Sequence, residues 1–513
     1  MAILKSLTIQ NFKAISDPVR IDFKPITLLF GPNSAGKSTI IQALHYVREI
    51  FVNHNLDPHR VNVHGEQVDL GGFKAIVHNH DLTLPINLEL DLELGEEKLP
   101  NYIQDEEILD QVTECARIYL DCLQRVRRVS VGISVRWAVD LARPYTASYR
   151  VSLEGEFFCE ISEWNPTLLP ELLHEKLSAG SAGSRAALQA PKYLNFLRVN
   201  FRHSSFLASD TTKPSNLLTE IAELLFEDPW EWHSNGESPE QGHGTLIFTS
   251  HGALPDWDNP PYLMGDLKDI DTTGLGDPDS YRLPQGLAEL FNRGIAGPGK
   301  LACSILGGLR YLGPLRAIPP RLLEQSGATQ QVIAPSGLGT WEELFSADKR
   351  ILGEINTWLS GAEKLNSGYT IDVKRYKELD EGLLAAIENG RIKEVKDFEG
   401  TLRNLPARSR LTLHKVPSGM ELSIQDVGTG ISQVLPVIIT SLLSRDQLVA
   451  IEQPELHIHP ALQVTLADMF IAQAMRSNVF FILETHSEHL MLRLLRRIRE
   501  TSENEVDRGA HRR

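Results

Sequence analysis

The chain has 513 residues, of which 42% are hydrophobic and 23% charged, and it carries a formal net charge of −16. This length predicts about two to four domains with more than one buried core. The acidic balance argues against a broad surface that coats nucleic acid. The four cysteines lack paired metal spacing, and neither a membrane-spanning run nor a secretion signal is visible. We therefore expect a cytoplasmic protein with reduced cysteines.

The N-terminal half reads mainly as β-structure. Strands are predicted at LKSLTIQNF, VRIDF, ITLLF, INLELDLEL, SVRWAVDLA and YRVSLEGEFFCEI, and a helix over residues 104–128. This pattern of strands is typical of an antiparallel sheet around a central loop. We assign residues 1–165 to one half of a divided domain.

A phosphate-binding motif lies within this half. Residues 31–39, GPNSAGKST, satisfy the pattern G-x-x-x-x-G-K-[ST], with a strand-like run before them and apolar residues at helical spacing after them. Such a loop surrounds a phosphate with backbone N–H groups, with Lys37 on the β- and γ-phosphates and Ser38 on Mg²⁺. The alternative is an ordinary glycine-rich turn. The predicted ATP contacts are Gly31, Asn33, Ser34, Ala35, Gly36, Lys37, Ser38 and Thr39.

The middle of the chain changes character. Residues 166–305 are rich in turn-forming residues and predict an inserted domain with long loops, a strand at LNFLRVNF and a helix at PSNLLTEIAELLFEDPW. Residues 306–405 predict a return segment and a helical subdomain, with a helical region from Thr340 to about Glu399. Residues 406–513 again contain apolar runs typical of a buried core, and we assign them to the second half of the divided domain.

Acidic residues follow an apolar strand in this last part. Glu452 comes directly after LVAI, and we predict that it is the acid on the Mg²⁺ side of the site. Glu455 is a candidate to polarise water, and His486, after the next apolar run, is a candidate contact for the γ-phosphate. Neighbouring parallel strands would bring these residues to one sheet edge with Lys37.

Four motif-like segments follow one another along the chain in this order: GPNSAGKST, DVGTGISQVLP, AIEQPELHIHP and ILETHSEHL. They resemble the ATP-binding-cassette-type ATPases of the RecF, SMC and overcoming-lysogenisation-defect group, and within it the stand-alone phage-defence ATPases (Septu PtuA-like, retron-associated and PARIS AriA-like). The resemblance covers residues 1–95 and 306–500. It implies an α/β P-loop ATPase head, a mixed sheet with an antiparallel N-terminal lobe and a parallel core, carrying a large inserted α+β or helical domain.

The resemblance also implies a dimer in which two heads enclose two ATP molecules. The signature-like segment would present Gly428, Gly430 and Ser432 to the γ-phosphate; the alternative is a glycine-flexed turn before a helix. The usual Leu-Ser-Gly-Gly-Gln is not present. Gln67 is the candidate γ-phosphate sensor, acting on Mg²⁺ through ATP, with an ordinary surface glutamine as the alternative.

The chain departs from its relatives at the catalytic base. Most of them end the Walker B strand with an Asp-Glu pair, whereas this chain has Glu452 followed by Gln453. Glutamine can orient water but cannot accept its proton, so either Glu455 serves as the base or hydrolysis is slow. The sequence favours slow hydrolysis. The histidine pairs at 457/459 and 486/489 fit structural and switch roles better than a zinc site.

These observations lead to two hypotheses. In the first, a homo-oligomeric Mg²⁺–ATPase without a nuclease domain of its own senses phage infection or damaged nucleic acid and controls a separately encoded nuclease or toxin. In the second, the chain is a RecF-like DNA-repair clamp. Nucleic-acid contact is compatible with either, and no membrane partner is expected.

Overall fold

The computed structural model describes most of the chain outside the predicted insertion. Its described residues are 2–32, 36–63, 66–100, 114–163, 193–199, 244–249, 252–257, 262–263, 285–319, 324–325, 339–378, 381, 385, 389 and 407–510. They fall into two compact units. The first unit consists of Met1–Phe23, Thr39–Val61 and Asp69–Gly308, and the second of Lys24–Ser38, Asn62–Val68 and Leu309–Arg513. The four domain boundaries drawn from the sequence stay predictions.

The first unit is built on a nine-stranded sheet with the spatial order β12-β11-β10-β9-β8-β7-β6-β1-β2. Neighbouring strands in it are antiparallel. Alternate residues of β6 are buried, because successive side chains of a strand point to opposite faces. The strands are β1 (Ile3–Gln10), β2 (Val19–Asp22), β6 (Ile86–Glu93), β7 (Arg128–Ala138), β8 (Arg143–Leu153), β9 (Glu156–Glu163), β10 (Tyr193–Val199), β11 (Gly244–Thr249) and β12 (Tyr262–Leu263).

Aromatic residues of strands and loops pack against helices in the core of the first unit. Trp257 is buried, stacks on Phe51 with ring centroids 5.5 Å apart, and donates from Nε1 to the Phe51 carbonyl at 2.7 Å. Tyr149 donates its hydroxyl proton to the carbonyl of Ile295 at 2.7 Å. The helices are α1 (Lys37–Asn53, of which the unit holds all but two residues), α2 (Phe73–Ile76), α3 (Glu114–Arg125) and α4 (Gln285–Gly307).

The second unit contains a four-stranded parallel sheet with the order β13-β18-β19-β3. Its strands are β3 (Ile26–Phe30), β13 (Arg310–Leu312), β18 (Leu448–Glu452) and β19 (Phe480–Thr485). The first four residues of β18 and the last five of β19 are buried, as expected for parallel strands that are covered on both faces.

A second, antiparallel sheet and five helices also belong to this unit. The sheet contains β14 (Glu324–Gln325), β15 (Tyr369–Lys377), β16 (Ala407–Lys415) and β17 (Met420–Leu422). The helices are α5 (Gly339–Glu343), α6 (Lys349–Ser360), α7 (Thr429–Leu443), α8 (Pro460–Ser477) and α9 (Glu488–Ala510). A further two-stranded sheet pairs β4 (Arg60–Val63) with β5 (Glu66–Asp69).

The mixed α/β fold with an antiparallel lobe and a parallel core sheet is confirmed. Three expectations for individual elements differ from the structure. The helix predicted to reach residue 128 ends at Arg125, and Arg128 begins β7, because the chain there joins the alternating pattern of the sheet. The predicted strand SVRWAVDLA ends at Ala138 and turns into β8. The helical region predicted for 340–399 contains strand β15, which pairs with β16 along its whole length.

Part of the predicted insertion can be compared with the structure. LNFLRVNF supplies β10, whereas the helix expected at PSNLLTEIAELLFEDPW lies outside the described residues. None of the helices in the described ranges is both long and apolar enough to cross a lipid bilayer.

Candidate nucleotide site

The phosphate-binding loop connects β3 to α1, as a strand, loop and helix in sequence predict. Gly36 has φ 84°, a left-handed conformation that glycine adopts without steric cost, and α1 begins at the next residue. The Lys37 ammonium is buried and donates to the carbonyls of Gly31 at 3.0 Å and Pro32 at 2.8 Å. It therefore lies against its own loop. Asn33, Ser34 and Ala35 lie outside the described residues, and Thr39 is buried in α1.

Ser38 connects the loop to the far end of the chain. Its hydroxyl donates to the carboxylate of Glu484, with Oγ 2.9 Å from Oε2 and 3.1 Å from Oε1. Glu484 is only 5% exposed and lies near the C-terminal end of β19, the strand next to β3. A strand-end carboxylate thus meets the hydroxyl that the motif assigns to Mg²⁺.

Glu452 lies beside Glu484, because the two residues are register partners at the ends of β18 and β19. Its Oε1 accepts a hydrogen bond from the Tyr311 hydroxyl at 3.0 Å. Burial, followed by the negative charge of Glu484, raises the pKa of Glu452 to about 7; the Tyr311 hydrogen bond and the charge of Arg316 oppose this shift. The two carboxylates therefore repel one another, and a cation at this edge would relieve the repulsion.

Gln453 follows Glu452 in a left-handed conformation, with φ 44°. Its backbone N–H donates to the Glu484 carbonyl at 2.7 Å, which extends the pairing of β18 and β19 by one residue. Arg316 holds the same turn, donating to the carbonyls of Glu452 at 2.8 Å and Gln453 at 3.0 Å. The Gln433 amide of α7 donates in return to the Arg316 carbonyl at 2.9 Å. Arg316 thus couples the end of β18 to α7.

Glu455 links the loop after β18 to the loop after β19. Its Oε1 accepts the backbone N–H of His486 at 2.7 Å, while its Oε2 is buried without a hydrogen-bond partner among the described residues. The His486 side chain is exposed. Glu455 therefore fixes the backbone position of the candidate switch histidine.

The signature-like segment leads into α7. Gly428 is exposed and caps the helix with φ −60°, and a Cβ atom at this position would meet nothing within 4 Å. At Gly430 a Cβ atom would come 3.0 Å from the His457 carbonyl, so that position is crowded by the fold. Ser432 is buried and donates its hydroxyl proton to the Thr429 carbonyl at 3.0 Å. Thr429, the first residue of this helix, is exposed.

Two further candidates belong to other elements. The backbone of Gln67 belongs to β5, and its side chain lies outside the described residues. His459 caps α8, with Nδ1 accepting from the Ala461 N–H at 3.3 Å. Within the described ranges, no group of three or more His, Cys, Asp or Glu side chains could hold a metal ion.

Three residues at the site carried no assigned role in the sequence-based prediction. Glu484, Tyr311 and Arg316 each contact a predicted site residue. Glu484 had a usable signal, because it is an acid at the end of an apolar run that precedes His486. Tyr311 and Arg316 act through a hydroxyl and backbone carbonyls, and neither contact leaves a spacing that a sequence can show.

The donor set suits Mg²⁺. The oxygens present are the Ser38 hydroxyl and the Glu484 and Glu452 carboxylates, and Mg²⁺ prefers such oxygen ligands together with phosphate and water. When bound, the ion would neutralise phosphate charge. The chain itself supplies the amine of Lys37, oxygens that would be available to hold the ion, and the Glu455 contact that fixes His486.

Comparison with known families agrees with this geometry. The model of the AAA ATPase domain family matches residues 1–124 and 340–491, more than half of the chain. The chain therefore belongs to this family, which implies binding of ATP and Mg²⁺. The two matched segments contain the phosphate-binding loop and the β18–β19 edge.

Similarity to individual proteins is more restricted. The chain is 47% identical over 45 residues to the chromosome partition protein Smc of Mycolicibacterium paratuberculosis and to that of Mycobacterium leprae, and the match covers 9% of this chain and 4% of each of those proteins. A solved Smc head bound to the C-terminal winged-helix domain of ScpA aligns with TM-score 0.34 and 11% identity, over 96% of this chain and 91% of that one. The SMC head domain from Thermotoga maritima aligns with TM-score 0.32 and 10% identity, over 96% and 91%.

Proposed function

We propose that this chain is an ATP-binding, slowly hydrolysing ATPase that oligomerises and controls a separately encoded nuclease or toxin in bacterial anti-phage defence. One observation carries the enzymatic part of the proposal. At the sheet edge that holds Ser38, Glu452 and Glu484, the residue that follows Glu452 is Gln453. Its amide can orient water but cannot accept a proton, and losing a positioned catalytic group costs about a hundredfold or more in rate.

Because hydrolysis is slow, bound ATP would persist long enough to hold two subunits together. Gly428 supports this step, because its φ of −60° and the open space around its Cα mean that the fold does not require glycine there. A glycine at an exposed helix N-terminus allows close approach of a phosphate group. We infer that this surface contacts the γ-phosphate of ATP bound to a second copy of the chain.

The defence role rests on the resemblance of the four motif segments to stand-alone phage-defence ATPases. In this role the ATP-held assembly would keep the effector inactive or release it upon a phage signal. Loss of ATP-dependent assembly should then change effector activity without any change in the effector itself.

Sedimentation velocity with and without Mg²⁺–ATP tests the assembly step. We compare the wild type with Gly428→Asp and with Gly353→Asp, an exposed position in α6 that is also open around its Cα. Asp is a good helix N-cap, so Gly428→Asp should fold and still bind ATP through its own loop, but its charge should repel a facing phosphate. We expect ATP to dimerise the wild type and Gly353→Asp but not Gly428→Asp. A wild type that stays monomeric with saturating ATP, or a Gly428→Asp variant that assembles normally, would contradict the proposal.

A second candidate function is a RecF-like clamp on DNA. The 45-residue match to chromosome partition proteins favours it. The arginine-rich face of α9 does not, since Arg493 and Arg497 both pair with Asp468, at 2.7 and 2.8 Å. ATP-dependent binding to duplex DNA that weakens steeply between about 50 and 200 mM salt would favour the clamp, and no binding at the lower salt would favour the defence role.

A further inference from the structure

Glu484 is a buried carboxylate whose hydrogen-bond donor is neutral. It is 5% exposed, and both of its oxygens lie within 3.1 Å of the Ser38 hydroxyl. No Lys, Arg or His side chain in the described part of the chain forms an ion pair with it. A buried charge usually has a cationic partner, because desolvation is expensive. We therefore expect the Glu484 carboxylate to bind a cation that does not come from the described side chains.

Glu452 is bound differently. Its side chain accepts from the Tyr311 hydroxyl on the side of β13, and it makes no hydrogen bond to Ser38 within the described residues. The sheet order explains the difference. β19 lies between β18 and β3, so Glu484 is one strand closer than Glu452 to the phosphate-binding loop.

We propose that Glu484, together with Ser38, supplies the protein oxygens that contact Mg²⁺, and that Glu452 is a positioning residue held outside this contact by Tyr311. This inference rests on the proposed function as an ATP-binding protein. Octahedral Mg²⁺ has ligands at about 2.1 Å, which places adjacent ligand oxygens about 3 Å apart. The 2.9 Å separation of Ser38 Oγ from Glu484 Oε2 already has this spacing.

Nucleotide binding without turnover provides the test. We measure the affinity of a fluorescent ATP analogue in EDTA and in Mg²⁺, and the binding of Mn²⁺ by electron paramagnetic resonance with ATP present. The variants are Glu484→Gln, Glu452→Gln and the control Glu363→Gln, an exposed acid in the turn after α6. Each exchange keeps the shape of the side chain and removes its charge. Circular dichroism reports whether each variant has folded, and binding in EDTA reports the nucleotide site without the metal.

The wild type and Glu363→Gln should bind more tightly in Mg²⁺ than in EDTA. Glu484→Gln should bind as the wild type does in EDTA, but lose about tenfold or more of the Mg²⁺ effect and weaken Mn²⁺ binding. Glu452→Gln should lose about threefold or less. An unchanged Mg²⁺ effect in Glu484→Gln, or an equal or larger loss in Glu452→Gln, would overturn the inference. Failure of Glu484→Gln to bind in EDTA would also overturn it, since a metal contact alone is not needed there. A wild type that binds no nucleotide would instead refute the proposed function.

Discussion

Ser38 and Glu484 are 446 positions apart in the chain and are joined by hydrogen bonds of 2.9 and 3.1 Å. The parallel sheet brings them together, because β19 pairs with β3 and both strands end at the same edge. β18 adds Glu452 on the other side of β19. The phosphate-binding loop and two acidic strand ends thus form one site in the second unit.

Gln453→Glu should accelerate ATP hydrolysis. The exchange restores a proton acceptor after Glu452 and leaves the left-handed backbone equally strained, since Gln and Glu have the same backbone requirements. We expect the steady-state rate to rise about tenfold or more. Phosphate release measured at saturating ATP checks this.

A second substitution in the same variant tests whether the faster hydrolysis comes from this nucleotide site. Adding Lys37→Ala to Gln453→Glu should remove the activity, because the amine that the motif assigns to the phosphates is lost. A Gln453→Glu rate equal to that of the wild type would mean that position 453 does not face the attacking water.

Glu455 distinguishes a positioning role from a role as base. Glu455→Gln keeps an oxygen that can accept the His486 N–H, whereas Glu455→Ala removes it. If the main role of Glu455 is to hold the His486 backbone, the Gln variant should retain the wild-type turnover within about threefold. The Ala variant should lose about tenfold in turnover. Equal collapse of both variants would identify Glu455 as the base that Gln453 cannot be.

Gly299→Ala should destabilise the first unit. A Cβ atom there would lie 2.0 Å from Cζ3 of Trp257, which is held by its stacking on Phe51 and its hydrogen bond to the Phe51 carbonyl. We expect a loss of about 3 kcal/mol or more in the free energy of unfolding. Gly307→Ala is the matched control in the same helix, because its Cβ would meet nothing within 4 Å. Thermal unfolding of both variants makes the comparison, and similar midpoints would show that Trp257 can move.

Asp91 should make stability depend on acidic pH. Burial alone would raise the pKa of Asp91, but hydrogen bonds from Ser130 and Ser6 and the charge of Arg20 outweigh it and hold the pKa below its ordinary value. A lowered pKa in the folded state stabilises the protein above the unfolded-state pKa of about 3.9, and this contribution disappears as pH falls through the folded-state value.

Asp91→Asn should therefore cost about 1–2 kcal/mol at pH 7 and less near pH 3. Thermal unfolding at both pH values measures the difference, with Asp140→Asn, in the exposed turn after β7, as the control. A cost that is the same at both pH values would show that the Asp91 charge contributes nothing to the fold.

Local patterns were sufficient to predict most strands of the antiparallel sheet and the strands β3, β18 and β19 of the parallel sheet, but not the strands β13 and β16 or the long helix α4. Alternation in INLELDLEL and the continuous apolar runs before Glu452 and Glu484 indicate strands of the two kinds of sheet. Strand β15 was missed because a short amphipathic segment between helices fits either period. Composition did not predict the burial of Trp257, because the residues around it are typical of an exposed loop.

The site was predictable to the level of its motifs but not of its contacts. The loop pattern pointed to Lys37 and Ser38, and the strand ends to Glu452 and His486. Which acid meets Ser38 depends on the order of strands in the sheet, and that order is not written in local sequence. The burial of Ser432 and the exposure of Thr429 in α7 likewise depend on how the helix packs, which local sequence does not show.

ATP turnover as a function of protein concentration, with the assembled fraction measured in the same samples, tests the central claim most directly. We predict that Mg²⁺–ATP drives assembly and that turnover stays well below about 1 per second at every concentration. Turnover at or above about 10 per second that is independent of concentration would contradict the claim. It would identify the chain as an efficient monomeric ATPase rather than a nucleotide-held assembly.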